Sequence, residues 1–319
     1  MKKKVREKIT QTLFGGRTLA KASGLAFSVA AVLPNVLAIL VLLGIGAVSA
    51  LVGGIGDYQT QDWYLYVNYA LTQFAFAITA GIFLAYIGKT PKAALQEQKC
   101  SWKYFLVAVL LQVGLLSLSE LNALFLQFLQ RFGYEDAGIS LPSMEGFGFV
   151  GVLFVVALLP AVFEEIMFRG VLLSGLRGFG KTGAILVCGL LFALYHQNPA
   201  QTVYQFCCGA AFALVAIRAG SILPTVLSHF LNNAFILLLY KLGIETFPPV
   251  VQWTVIGVSA VCLIFSLGYL LFWDKNEKDK TEENSAGESV EARREFFTFA
   301  LVGIAVCTLT WVLVLLGGM

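Results

Sequence analysis

The stretch FGFVGVLFVVALLPAVFEEIMFRGVLL, residues 147–173, decides the fold. It exceeds the roughly 20 apolar residues that a membrane-spanning helix needs. Its second half carries Glu164, Glu165 and Arg169. Ionisable residues are costly inside a bilayer and mark functional positions there. Apolar runs of the same kind recur along the chain. They predict spans near 25–52, 66–87, 103–130, 147–173, 182–197, 199–217, 222–241, 250–273 and 296–317. The expected fold is all-α: a polytopic transmembrane helix bundle of about eight or nine spans, with a cavity inside the membrane.

Composition excludes the other classes. Hydrophobic residues make up 58% of the chain and charged residues 13%. A soluble domain of this length has too little polar surface to cover so much apolar material. A membrane β-barrel would show short alternating segments, whereas these runs are long and continuous. Helices satisfy their own backbone hydrogen bonds, which lipid cannot do. The formal net charge of +3 is read as an orientation signal, with no nucleic-acid partner. The six cysteines, Cys100, Cys188, Cys207, Cys208, Cys262 and Cys307, form no CxxC and five lie in apolar segments. They are expected to be buried, unpaired thiols.

Charge asymmetry sets the expected orientation. With the N-terminus in the cytoplasm, the inside segments hold twenty of the 22 Lys and Arg residues, and only Arg131 and Lys241 fall outside. The Lys2–Lys4 start resembles a signal-peptide n-region, but the apolar run after it is longer than an h-region. An uncleaved first span is expected. Residues 1–24 then form a basic cytoplasmic N-terminus, 25–273 the helical bundle, 274–295 a charged cytoplasmic linker and 296–319 a C-terminal transmembrane helix. The Lys-rich start and compact build point to a multi-pass protein of a bacterial plasma membrane, with the endoplasmic reticulum membrane as the alternative for a eukaryotic source.

Three short patterns bring chemistry to this bundle. In Phe163-Glu164-Glu165-Ile166-Met167-Phe168-Arg169, Glu165 and Arg169 are four apart, so they share a helix face and pair. Glu164 points about 100° away. One carboxylate is neutralised by the arginine while the other faces a cavity. In Phe192-Ala193-Leu194-Tyr195-His196, Phe192 and His196 lie one turn apart. In His229-Phe230-Leu231-Asn232-Asn233, His229 and Asn233 share a face. At 1.5 Å per residue, Glu164 lies roughly 13 Å, His229 roughly 11 Å and His196 roughly 21 Å from the basic end of their spans. The three meet in the cytoplasmic half of the membrane if the 182–197 helix is tilted or short. Glu164 with His196 can activate a water, and His229 with Asn233 can donate hydrogen bonds to a developing oxyanion. No Gly-x-Ser-x-Gly or HExxH occurs. A zinc ion held by His196, His229 and a glutamate is the chemical alternative.

With Glu164, Glu165 and Arg169 as EExxxR, Phe192 and His196 as FxxxH, and His229 and Asn233 as HxxxN, the chain resembles the CAAX protease and bacteriocin-processing family, also called the Abi family. Its best-known members are CAAX prenyl proteases of the Ras-converting type. The resemblance covers about 147–241. It implies an intramembrane glutamic endopeptidase with a protease core at 147–241, acting on lipidated or membrane-associated peptides without a cofactor. It implies Glu164 and His196 as the water-activating pair, His229 and Asn233 as the oxyanion site, and Glu165, Arg169 and Phe192 as supporting residues. Outside the motifs, Glu120 lies near Ser117, Ser119 and Asn122 and is expected to form a boundary patch or helix contact, with a place in the cavity lining as the alternative.

Two other functions compete. A non-catalytic immunity or scaffold protein would bind peptides without cutting, but it has no need of all four residues Glu164, His196, His229 and Asn233. An ion-coupled transporter would show inverted repeats with broken helices in matching halves, and no such symmetry is visible.

Overall fold

The computed structural model describes residues 18–87, 100–244, 246–274 and 286–319. Among these, nine helices are long and apolar enough to cross a membrane. They are α1 (Leu19–Val52), α2 (Asp62–Ile87), α3 (Trp102–Gln130), α4 (Gly148–Gly175), α5 (Arg177–Tyr195), α6 (Pro199–Ala219), α7 (Leu223–Lys241), α8 (Pro249–Trp273) and α9 (Ala286–Gly317). The protein is an all-helical integral membrane bundle.

Local chemistry explains the helix ends. Thr18 caps α1 by accepting from the Lys21 N–H, and Gly53 closes it in the left-handed conformation, where glycine pays no Cβ penalty. α1 and α9 start earlier than hydropathy predicts, at Leu19 rather than 25 and at Ala286 rather than 296. Hydropathy marks the part of a helix that lies in lipid, not the helix itself. The polar extension of α9 packs on α1, where the Thr18 hydroxyl donates to Glu295. The linker expected over 274–295 is therefore helical from Ala286 onward. Most of the expected basic N-terminus, and Lys89, Lys92, Lys99, Lys275, Lys278 and Lys280, lie outside the described residues.

Alternating helices give the bundle two ends. At one end, Lys103 pairs with Asp274 at 3.1 Å, Tyr104 donates to the same carboxylate and Arg218 donates to the Asp274 carbonyl. Ser23 of α1 donates to Val171 of α4, and Phe179 stacks on Phe296. Lys21, Arg177, Lys181, Arg293 and Arg294 belong to this basic end by their positions along the helices. At the other end, the α3–α4 connection takes up the free ends of several helices: Tyr69 donates to Ser140, Asp62 accepts from the Ser143 N–H, Lys241 donates to Met144 and the Glu135 N–H donates to Gly318.

Two glycines set the closest helix contact near the motifs. A Cβ on Gly209 of α6 would stand 2.8 Å from the Gly189 Cα of α5 and 3.0 Å from the Phe192 Cβ. Backbones this close rely on small residues, as in other membrane interfaces. Gly209→Ala is expected to push α5 and α6 apart and to cost about 1–3 kcal/mol of stability. Thermal unfolding in detergent checks this, and a midpoint equal to wild type would contradict it.

Candidate active site

α4 carries the first two acids on an irregular helix. It is π-helical over Leu153–Leu158 and again over Ile166–Leu172. Pro160 removes one backbone donor just after the first wide turn, and proline cannot sustain an i→i−4 bond. Wide turns of this kind are frequent at functional sites. Between them, Glu164 and Glu165 keep α-helical spacing and so diverge. Glu165 and Arg169 are fully buried as side chains and pair at 2.8 Å. Glu164 instead lines a cavity of about 1040 Å³.

Arg169 is held on three sides. Its Nη1 reaches Glu165 Oε1, its Nη2 donates to the Gly209 carbonyl at 3.1 Å, and its guanidinium lies 4.4 Å from the Phe192 ring centroid and 5.3 Å from that of Phe212. The close approach of α5 and α6 at Gly189 and Gly209 brings that carbonyl within reach. Phe192 is fully buried and packs against the Arg169 guanidinium. Its ring also stands 4.6 Å from His196 and 6.0 Å from His229, centroid to centroid.

Each histidine has one nitrogen already engaged. His229 Nδ1 lies 3.0 Å from Glu165 Oε1, and its Nε2 lies 3.9 Å from Glu164 Oε2. An ionised carboxylate only accepts, so Nδ1 carries a proton. His196 is the C-cap of α5, and its Nδ1 lies 2.8 Å from the Phe192 carbonyl. A carbonyl only accepts, so this Nδ1 is also protonated and Nε2 keeps its lone pair. The chain turns sharply after His196 because Gln197 adopts φ 53°. That conformation disfavours side chains by roughly 1–2 kcal/mol, and it stops α5 short, as its length predicted.

Glu164, His196, His229 and Asn233 all line the same cavity. Glu165, Arg169 and Phe192 stand behind it. Asn233 Oδ1 accepts from Asn232 Nδ2 at 3.1 Å, which leaves the Asn233 amide N–H groups for the cavity. Asn232 is itself fixed: its Oδ1 accepts from Gln112 Nε2 at 2.8 Å and from the Tyr204 hydroxyl at 2.9 Å. Sequence reasoning missed this supporting chain. Its signal was Gln112 within the apolar run 105–116 of α3, an intramembrane polar residue that requires a partner.

Glu120 also lines the cavity, while accepting from Gln252 Nε2 of α8 at 2.9 Å. The expected helix contact is present, and so is the cavity position. Among the described residues, no three His, Cys, Asp or Glu side chains are arranged to hold a metal ion. All six cysteines are free thiols, three of them buried.

The fold and this cluster define a class: a polytopic membrane protein with acid, imidazole and amide groups lining one cavity. Residues 146–235, from the start of α4 into α7, match the family described as Rce1-like type II CAAX prenyl endopeptidases. All three motifs fall inside that segment, so the resemblance read from the residues and the family match coincide. The kind of enzyme indicated is a CAAX-type endopeptidase. α1 to α3, α8 and α9 lie outside the match. Neither a curated protein nor a solved structure matches the chain.

Proposed function

We propose that the protein is an intramembrane endopeptidase that hydrolyses peptide bonds of lipidated or membrane-associated peptides. The observation that carries this reading is the single cavity shared by Glu164, His196, His229 and Asn233. Glu164, with an oxygen that has no protein hydrogen-bond partner among the described residues, takes a proton from a water. His196 Nε2 is the acceptor that orients the water. Asn233 donates an amide N–H to the oxyanion of the tetrahedral intermediate. His229, with Nδ1 3.0 Å from Glu165 Oε1, stands beside Asn233 at the same oxyanion site. Preorganised donors of this kind act strongly where water is excluded.

No step requires a metal ion. Cleavage abolished by a chelator and restored by zinc would overturn this part. The reading as a whole is tested by comparing newly formed peptide termini in membranes with wild type or Glu164→Ala at matched abundance. Termini found only with wild type identify a peptidase and its substrates. Identical profiles, with both proteins inserted, would overturn the reading in favour of a non-catalytic scaffold.

Orientation follows from charge. With the basic end in the cytoplasm, the cavity opens on the opposite face, since Ile139, Thr246 and Phe247 line it from the α3–α4 and α7–α8 connections. A cysteine placed at Ile139, which is exposed, is then expected to react with a membrane-impermeant maleimide added to intact cells, beyond the background of the native cysteines. Labelling only after permeabilisation would invert the orientation.

A further inference from the structure

We infer that Glu120 is a substrate-binding residue that selects a positively charged group, a lysine or arginine side chain, three to four residues from the cleaved bond on its mouth-facing side. This rests on the peptidase reading and names the substrate class for the same site.

The cavity is one-sided in charge. Its lining holds two carboxylates, Glu120 and Glu164, and among the described lining residues there is no lysine or arginine. An anionic segment entering it finds no lysine or arginine counter-ion among the described lining residues. A cationic one finds a counter-ion, and electrostatics in a poorly hydrated cavity are stronger than in water. Amides supply the rest of the polar wall, including Asn68, Gln201 and Gln205. Amide side chains both donate and accept, which suits the backbone of an extended peptide rather than a phosphate or a bare acyl chain.

The geometry assigns Glu120 to a defined distance. α3 serves as a ruler along the cavity: Ala108 accepts from Ser228 beside His229, Gln112 holds Asn232, and Glu120 meets Gln252. Gln112 and Glu120 are eight residues apart along α3, about 13 Å once the 3₁₀ turn at Leu116–Leu118 is included. An extended peptide advances about 3.3 Å per residue, so three to four residues separate the Asn233 level from Glu120. Gln252 engages one carboxylate oxygen and leaves the other for the substrate.

The experiment profiles newly formed termini from membranes carrying wild type, Glu120→Gln, Glu120→Lys or Glu164→Ala at matched abundance. Wild-type termini are expected to carry Lys or Arg enriched three to four residues from the cut. Glu120→Gln, which keeps the side-chain size, is expected to lower those termini about ten- to hundredfold, the range of a lost charged hydrogen bond. Glu120→Lys is expected to shift the enrichment toward Asp and Glu. Wild-type cleavage without basic enrichment would overturn the inference even if neither variant folded. An unchanged profile in a folded Glu120→Gln would do the same. Identical profiles for wild type and Glu164→Ala would instead overturn the peptidase reading, and the inference with it.

Discussion

Glu164→Gln is expected to lower the rate of cleavage by about 10²–10⁴-fold, the range typical of a lost general base, while leaving insertion and thermal unfolding unchanged. The substitution keeps the side chain's volume and changes only its basicity. Glu164 contributes to the cavity wall rather than to the packed core, and Arg169 is committed to Glu165 at 2.8 Å. The buried Arg169–Glu165 pair therefore stays intact, and the change weakens only the 3.9 Å approach of Glu164 Oε2 to His229 Nε2. Asn233→Ala is expected to lose less, about 10²–10³-fold, as for a single oxyanion donor. A single-turnover assay on a peptide identified from the new termini measures both. Full activity in Glu164→Gln would remove this residue from the mechanism.

Arg169→Met produces the opposite phenotype: loss of the fold before loss of chemistry. Both members of the Arg169–Glu165 pair are shielded from solvent. Removing the arginine leaves the Glu165 carboxylate buried with only the His229 Nδ1–H at 3.0 Å beside it, at a cost on the order of 3–5 kcal/mol. The Gly209 carbonyl also loses its donor, and the aromatic rings of Phe192 and Phe212 lose the cation they flank. A fall in unfolding temperature on the order of 10 °C is expected in detergent. The double variant Glu165→Gln, Arg169→Met is expected to be less destabilised than the two single changes added together, because no unpaired charge remains. Lysine is a poor replacement, since it lacks the planar fork that serves Glu165 and Gly209 at once. An unfolding temperature equal to wild type in Arg169→Met would refute the structural role.

These two expected results separate the adjacent glutamates by function, and helix geometry already separated them in the chain. A spacing of four joined Glu165 to Arg169, and a spacing of one turned Glu164 away. The same period related Phe192 to His196 and His229 to Asn233. Such contacts within one helix are legible because their geometry is fixed by 3.6 residues per turn.

Contacts between helices followed a different rule. No spacing in the chain reveals that His229 of α7 meets Glu165 of α4, or that Gln112 and Tyr204 hold Asn232. Nor does it reveal that Gln252 of α8 brings Glu120 to the cavity. The first and last helices likewise outran their apolar cores, because Thr18 and Glu295 pair across α1 and α9.

By itself, then, the sequence determined the class, the spans and the local pairs within helices, because lipid demands long apolar helices and each helix repeats itself. The tertiary structure alone decided which helices meet, where the cavity opens and what stands behind each reacting group. Those depend on close approaches such as Gly189 against Gly209 and on wide turns such as Ile166–Leu172, which packing selects from among many orders compatible with the same hydrophobic pattern.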